Sequence, residues 1–375
     1  MSRDLKRTGA GRRAVAPSDL LPDLAAPLLA WYARHQRHLP WRGARDPYAI
    51  WVSEIMLQQT QVETVRPYYA RWLAAFPTLA ALAAAPPAAV LAVWEGLGYY
   101  SRARNLHRAA QQVAAEHGGA LPRTVAGLRA LPGIGRYTAG AIASMAFGVD
   151  AAVLDGNVKR VLARVFDLTV DVKSPAGEKQ LWALAERLLP PGRAGDYNQA
   201  LMDLGATLCL PRAPLCLLCP LRELCAAFAN GTQHLRPVLP ARRAQPERRQ
   251  AAGVIRKGGR VLLAQRPADG LLGGLWAFPA VDVPAEASAD EQAAALSELL
   301  RKEYGLTVTL GETPGPVLRH TFTHFRLVLH VYEGRWRAGR LAAGQAARRW
   351  VKVSELGDCA MGKTDRRVAQ GLTGE

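Results

Sequence analysis

The sequence predicts a two-domain protein in which an all-α domain precedes an α+β domain. The chain has 375 residues, which is about the length of two domains. In residues 20–231, apolar residues recur at helical spacing, prolines and glycines interrupt them, and no strand alternation is convincing. Beyond residue 250, alternating segments and a glycine turn replace that pattern, so the domain boundary lies between these stretches.

Composition and charge narrow the function classes. Hydrophobic residues make up 49% of the chain and charged residues 21%, which excludes a wholly disordered protein. The formal net charge of +17 favours a polyanionic partner, either nucleic acid or an anionic membrane surface. No stretch has the ~20 strongly apolar residues of a membrane span, and no secretory apolar segment follows the basic N-terminus. We therefore expect a cytoplasmic protein.

The first element of interest is a helix that carries Glu54. Asp46 and Pro47 predict its start, because Asp is a favoured N-cap and Pro a favoured first helical residue. A single Glu on a helix is usually a solvated surface group. Here its neighbours are apolar, which indicates a partly desolvated carboxyl group with a raised pKa.

A glycine-containing turn follows at residues 131–136 (Leu-Pro-Gly-Ile-Gly-Arg). Gly133 and Gly135 allow a tight turn and a close approach of the backbone to a ligand. The next helix then begins with unpaired N–H groups and the positive end of its dipole, which suits a phosphate. An ordinary joint between two helices remains the alternative.

Asp155 precedes a further helical segment that starts near Gly156. One interpretation is that Asp155 is simply the N-cap of that helix, with no catalytic role. Capping and a catalytic role are compatible, because capping would hold the carboxylate ionised and aimed.

Four of the five cysteines cluster in one short segment: Cys209, Cys216, Cys219 and Cys225. Four thiolates within such a segment can close around one metal centre, whereas buried, inert thiols are the alternative. Zinc sites of four cysteines usually pair two Cys-x-x-Cys units, and this segment has one. All-thiolate ligation also suits a 4Fe–4S cluster. Cys359 stands alone and is expected to be an ordinary thiol.

The predicted second domain follows a linker at residues 232–249, which is rich in Pro and Arg. A β-hairpin is predicted at residues 252–265, with its turn at 257–259, and a helix at 287–304. Further strands are predicted at 306–311, 317–322, 325–333 and 349–353. Residues 1–19 and 357–375 are predicted to be flexible tails.

Six segments carry a family resemblance: residues 39–42, 53–62, 96–106, 131–140, 154–160 and 209–225. Together they closely resemble the A/G-specific adenine DNA glycosylases of the endonuclease III-like, helix–hairpin–helix superfamily. The resemblance covers about residues 20–225 and extends into the second domain. It implies a helical glycosylase domain with the helix–hairpin–helix at about 124–147, one 4Fe–4S cluster in the loop 209–225, and a Nudix-like domain at 250–356.

The resemblance implies a base-excision-repair activity. The substrate would be adenine opposite 8-oxoguanine or guanine, and the product an abasic site. Glu54 would protonate the adenine, Asp155 would stabilise the oxocarbenium ion, and Tyr137 and Asn157 would orient Asp155 or the water. Strand-cutting relatives have a Lys where this chain has Tyr137, so a monofunctional enzyme is implied.

The resemblance also implies contacts with duplex DNA. Arg42 would contact the flipped base, while Gln59 and Tyr99 would wedge into the base stack. Plain core packing is the alternative for Tyr99. The residues implied to bind DNA are Arg42, Leu57, Gln59, Tyr99, Gly133, Gly135 and Lys159. The side-chain amine of Lys159 could also attack the sugar slowly, so that a small amount of enzyme would be trapped covalently on the DNA.

The Nudix-like domain is expected to recognise a base and not to hydrolyse nucleotides. Its Nudix box, at residues 298–306, lacks most of the carboxylates that would hold magnesium. Phe322, Thr323 and His324 resemble the family's 8-oxoguanine recognition loop, with Thr in place of Ser; a strand pair with its turn is the alternative. The expected partner is double-stranded DNA with A:8-oxoguanine or A:G mispairs. The protein is expected to be a monomer and not to bind a membrane.

Three other functions remain open. A related mismatch glycosylase would release thymine, and a lesion sensor would bind DNA without catalysis. The third is a Nudix hydrolase with a DNA-binding arm. The missing carboxylates of the Nudix box argue against this function.

Overall fold

The computed structural model describes residues 21–240, 244–312, 314–344 and 346–374. The predicted tail at residues 1–19 lies outside these ranges. Within the described residues the chain forms two compact units. Unit 1 combines residues up to Arg37 with Gly148–Pro240, and unit 2 combines His38–Phe147 with the residues after 240. The helices between residues 38 and 147 therefore share a unit with the predicted second domain.

The described residues contain fourteen α-helices, and none of them is both long and apolar enough to cross a membrane. In chain order they are α1 (Ala25–His35), α2 (Pro47–Leu57), α3 (Val62–Ala75), α4 (Leu79–Ala84), α5 (Pro87–Trp94), α6 (Ser101–Glu116), α7 (Val125–Arg129), α8 (Arg136–Phe147), α9 (Gly156–Val165), α10 (Pro175–Arg187), α11 (Ala194–Thr207), α12 (Ala226–Ala229), α13 (Ala289–Lys302) and α14 (Lys363–Thr373).

Unit 1 is helical and packs tightly around α9. Helix α9 contacts α10, α11 and α12, and α1 contacts α11. Leu162 and Leu204 are fully buried, and each such side chain contributes roughly 1.5–3 kcal/mol to stability. Gly205 lies against Asn157, since a Cβ built on it would be 2.6 Å from the Asn157 Cβ. This close approach lets α11 support the first turn of α9.

The helical part of unit 2 is built on buried aromatic residues. Trp51, Trp72 and Trp94 are completely buried, and the Trp72 and Trp94 rings meet edge-on at 5.4 Å. The predicted start of α2 is confirmed, because Asp46 accepts a hydrogen bond from the Tyr48 N–H at 3.0 Å. Helix α2 packs against α8, and this contact places Glu54 beside the predicted glycine turn.

The rest of unit 2 is a mixed sheet with helices on its faces. Its eight strands within the described residues are β1 (Glu247–Lys257), β2 (Arg260–Gln265), β3 (Trp276–Ala277), β4 (Ala280–Val283), β5 (Leu306–Leu310), β6 (Val317–Thr321), β7 (Arg326–Gly339) and β8 (Arg348–Lys352). Strand β1 is central: it pairs antiparallel with β2 and β4 and parallel with β7. Strands β5 and β6 pair antiparallel with β7.

Successive residues of β1 pack on opposite faces of the sheet. Ile255 joins Leu296 and Leu300 of α13 in one apolar cluster. Val254 joins a second cluster that includes Met361 and Val368 of the C-terminal segment. The sheet is therefore covered on both sides, as the alternating pattern of a strand allows.

The predicted fold class is confirmed, because helices occupy the first part of the described chain and all strands lie within Glu247–Lys352. The hairpin, helix α13 and the four later strands match their predicted positions within a few residues. Strand β1 starts inside the predicted linker. The two short strands β3 and β4 were not predicted, since they span only two and four residues.

The prediction of a flexible C-terminal tail at residues 357–375 is wrong. Met361 is completely buried, and α14 buries Val368 and Ala369 against the sheet. Arg366 of α14 pairs with Glu95 at 2.6 Å and also donates to the backbone carbonyl oxygens of Leu356 and Cys359. The charged composition of α14 concealed these few buried positions.

Candidate active site

Glu54 is buried and hydrogen-bonded. Its side chain lies on α2 with only 5% of the residue surface exposed. The Tyr137 hydroxyl donates to Glu54 Oε2 at 2.7 Å. Tyr137 is the second residue of α8, so the contact follows from the packing of α2 on α8. One helix turn further along α2, Gln58 donates to the Thr138 hydroxyl at 3.1 Å.

The glycine turn between α7 and α8 has one residue that must be glycine. Gly133 adopts φ +78°, and a Cβ there would lie 2.6 Å from the Asn105 Cβ. Gly135 has an ordinary φ, and a Cβ there would meet nothing within 4 Å. Helix α8 begins directly after it, at Arg136, and its first N–H groups lie beside the turn. This is the arrangement expected of a phosphate-binding hairpin.

Asp155 is the N-cap of α9, as the sequence predicts. It accepts hydrogen bonds from the Val158 N–H at 2.7 Å and from the Asn157 side-chain amide at 3.0 Å. Desolvation raises the pKa of this carboxyl group, whereas these hydrogen bonds and nearby Arg160 lower it. The donors therefore oppose the cost of burying a charge.

Arg160 supports this carboxylate, and the sequence analysis did not identify it. Its guanidinium donates to Asn157 Oδ1 at 2.8 Å and to the Gly205 carbonyl at 2.6 Å. It also donates to the Cys209 carbonyl at 2.7 Å, which links the start of the cysteine segment to the Asp155 side chain. The available signal was its place three residues after Asn157, on the same face of α9.

Lys159 is engaged in an ion pair. Its Nζ lies 3.0 Å from Glu178 Oε1 of α10. The predicted DNA contact and any nucleophilic use of this amine therefore require this pair to open.

The four clustered cysteines line a single cavity together with Arg164. Arg164 donates to Cys209 Sγ at 3.3 Å and to the Leu210 carbonyl at 2.6 Å. Burial, together with the smaller effect of the neighbouring cysteines, raises the pKa of Cys219 to about 12. Four thiols around one cavity therefore favour a cationic centre that would hold them as thiolates.

The thiols are not arranged around a single ion. Among the described residues, no three His, Cys, Asp or Glu side chains are placed to hold one metal ion. Thiolates bind zinc at ~2.3 Å and would have to lie close together.

The two predicted wedge residues are exposed and share an uncommon backbone conformation. Gln59 has φ +55° just after α2, and Tyr99 has φ +47° just before α6. Tyr99 is 44% exposed, so the core-packing alternative is wrong for its side chain. Arg42 and Leu57 are both partly buried.

Tyr99 meets the predicted recognition loop. Its hydroxyl lies 2.6 Å from Thr323 Oγ1, within hydrogen-bonding distance. Thr323 and His324 are exposed in the turn between β6 and β7. Phe322 anchors that turn by stacking on Phe325, with 4.8 Å between ring centroids. The strand pair with its turn is therefore present, and recognition by these residues stays a prediction.

The predicted Nudix box forms no carboxylate cluster. Glu298 on α13 pairs with Arg301 and Lys302 at 2.8 and 2.9 Å. Hydrogen bonds from these two cations lower the pKa of Glu298 to about 2. The Glu298 carboxylate is thus paired with cations of its own helix.

Two family models match this chain, one for each of the two domains predicted from the sequence. Residues 52–187 match the HhH-GPD superfamily base excision DNA repair protein model, and residues 251–371, through most of α14, match the NUDIX domain model. The adenine DNA glycosylase of Homo sapiens is 40% identical over 93% of this chain and 73% of its own length. That of Schizosaccharomyces pombe is 31% identical over 91% of this chain and 88% of its own length.

A solved structure of a thermostable thymine-DNA glycosylase is also similar. It is 33% identical, has a TM-score of 0.51, and covers 54% of this chain and 94% of its own. This similarity concerns little more than half of the chain.

Proposed function

Because the chain belongs to the adenine DNA glycosylase family, whose members hydrolyse N-glycosidic bonds in base excision repair, we propose that it excises adenine mispaired with 8-oxoguanine or guanine. The product would be an abasic site in an uncut strand.

The observation that carries this proposal is the buried Glu54 carboxyl group with its Tyr137 partner. The Tyr137 hydroxyl donates to Oε2 at 2.7 Å and so fixes the orientation of the carboxyl group. A proton placed on adenine N7 makes the base a better leaving group. An acid held neutral by an apolar environment is the usual device for such a step.

Asp155 supplies the complementary role. Cleavage of the glycosidic bond leaves positive charge on the sugar, which an ionised carboxylate stabilises. The N–H of Val158 and the amide of Asn157 support the ionised form of Asp155. Water then completes the hydrolysis.

The absence of a strand-cutting step rests on Tyr137. A lyase needs an amine that attacks the sugar, and Tyr137 occupies the position from which relatives supply one. The amine of Lys159 is held by Glu178. Borohydride trapping with an abasic duplex is therefore expected to be slow.

The opposite base would be read where Tyr99 meets Thr323. A hydrogen bond between a wedge residue and the 322–324 loop couples insertion into the base stack to recognition of the opposite purine. Thr323 keeps the hydroxyl group that such recognition needs.

We also propose one 4Fe–4S cluster held by Cys209, Cys216, Cys219 and Cys225. When bound, it would hold the segment 209–225 in shape. The Cys209 carbonyl, which accepts a hydrogen bond from Arg160, would then have a fixed position. Iron and sulfide content, measured for the chain and for Cys216→Ser, tests this assignment.

The test of the function is base release from defined duplexes under single-turnover conditions. A:8-oxoguanine and A:G duplexes are expected to yield alkali-labile abasic sites, while A:T duplexes are not. Release of thymine from T:G, with no release of adenine, would replace the proposed substrate. Binding without release on any duplex would support the lesion-sensor alternative.

Recognition of the opposite base has its own test. Thr323→Val removes the hydroxyl group and should slow release from A:8-oxoguanine several times more than release from A:G. Thr323→Ser is the matched control and should keep the wild-type ratio. Equal ratios for all three proteins would remove Thr323 from the recognition step.

A further inference from the structure

Two exposed residues, Gln59 and Tyr99, have backbone conformations in the left-handed region. Gln59 and Tyr99 are not glycine, and such residues adopt positive φ values only when their surroundings enforce them. One buried side chain, Arg102, donates hydrogen bonds to the residue directly before each of them.

Arg102 fixes the first of them. Its Nη1 donates to the carbonyl oxygens of Ile55, Met56 and Gln58 at 2.9, 2.9 and 2.6 Å. These carbonyls belong to the end of α2, where helix geometry leaves the last carbonyls without partners. The guanidinium thus caps α2 directly before Gln59.

The same guanidinium fixes the second segment. Its Nη2 donates to the carbonyl oxygens of Leu97 and Gly98 at 3.3 and 3.1 Å, directly before Tyr99. It also donates to Thr60 Oγ1 at 3.2 Å, on the far side of Gln59. The Arg102 Cζ lies 5.4 Å from the Tyr99 ring centroid.

Arg102 is suited to this task by its chemistry. The residue is only 8% exposed, and burial lowers its pKa to about 10, so it stays charged at neutral pH. Its planar fork directs two nitrogens to two different segments. A lysine has one nitrogen and cannot reach both sets of carbonyls.

We propose that Arg102 is a positioning residue that locks the Gln59 and Tyr99 segments into one rigid unit, so that both side chains enter the DNA stack at a fixed spacing. The inference rests on the wedge roles in the proposed function. It adds that the two wedges act together and that one residue makes them do so.

The experiment compares Arg102→Lys in two backgrounds, wild type and Gln59→Ala/Tyr99→Ala, by single-turnover release from an A:8-oxoguanine duplex. In the wild-type background we expect a loss of about tenfold, as for directly coupled residues. In the background without wedge side chains we expect less than about a twofold loss. Arg71→Lys is the matched control, because Arg71 is exposed and donates to a single carbonyl.

Each outcome decides a separate point. Equal losses in both backgrounds would show a general structural role and overturn the inference, while the proposed function survives. If the Gln59→Ala/Tyr99→Ala protein released adenine at the wild-type rate, the wedge roles would fall, and the inference with them.

A milder variant covers the case in which Arg102→Lys does not fold. Thr60→Val removes one acceptor of Nη2 and leaves the guanidinium in place. We expect a loss of about threefold in the wild-type background. That loss should disappear when both wedge side chains are absent, and its persistence would contradict the inference.

Discussion

The end of α2 and the start of α9 each hold one buried or partly buried carboxyl group, in opposite kinds of surroundings. Glu54 lies within α2, among apolar residues, beside the neutral hydroxyl of Tyr137. Asp155 lies at the N-terminus of α9, with a backbone N–H and an amide as donors and a cation nearby. Desolvation is the largest influence on Asp155 and raises its pKa, while its hydrogen-bond donors and the nearby Arg160 oppose that rise.

The two carboxyl groups, to which the proposed function gives two roles, thus differ in the donors that reach them. A helix interior offers a side chain no free N–H groups, whereas the first turn offers several, together with the positive end of the dipole. Position on the helix therefore decides how many backbone donors reach the carboxyl group.

The largest expected effect comes from Glu54→Gln, which keeps the shape and removes the acid. Base release should fall about a thousandfold, because general acid catalysis is lost. Binding to an A:8-oxoguanine duplex, measured by gel shift, should remain. Glu63→Gln is the control, since Glu63 is an exposed acid on α3. A Glu54→Gln protein with normal activity would remove Glu54 from the mechanism.

Asp155→Asn separates capping from charge. Asn is as good an N-cap as Asp, so the melting temperature should not change. Base release should nevertheless fall about a hundredfold, because the anion is lost. Asp155→Ala should in addition lose the cap, at a cost of about 1 kcal/mol in unfolding free energy. Full activity in Asp155→Asn would leave Asp155 with a capping role alone.

Tyr137→Phe tests what the Tyr137 hydroxyl contributes to the function of Glu54. The ring remains, but the hydroxyl that donates to Oε2 is lost, so the Glu54 carboxyl group is held less firmly in its orientation. We expect a loss of about tenfold in single-turnover base release, without a change in DNA affinity. An unchanged rate would show that Glu54 needs no such partner.

The pH dependence tests the Asp155 side. Burial raises the pKa of Asp155 above its ordinary value of 3.8, so base release is lost as the pH falls through that raised value. Asn157→Ala removes a hydrogen bond that lowers this pKa. The acidic limb of the rate profile should therefore move to higher pH, with a loss of about threefold near neutral pH. A limb that stays in place, or moves to lower pH, would contradict this account.

Local features of the site were predictable because they depend on residues close together in sequence. The cap at Asp46 and the cap at Asp155 each follow from a short polar side chain and the N–H groups two or three residues later. The need for glycine at residue 133 follows from a tight turn. The same logic gave the hairpin of β1 and β2 and the start of the apolar strands.

The missed features join residues far apart in sequence. Tyr99 and Thr323 are 224 positions apart, and Arg366 and Glu95 are 271 apart. Arg102 lies within the predicted helical pattern, where one more arginine in a basic chain gave no signal. Burial of its guanidinium became visible only with α2 packed beside it.

By itself, the sequence determined most of the helices and the longer strands, but not α14, β3 or β4. It also determined which carboxyl groups sit where a helix begins or continues, and which cysteines share a loop. Those features follow from backbone hydrogen bonding and side-chain geometry over a few residues. The tertiary structure alone decided that Tyr137 meets Glu54, that Arg102 joins two exposed segments, and that the C-terminal helix packs on the sheet. These contacts depend on close packing of distant surfaces, where shape and burial select one partner among many that the sequence offers.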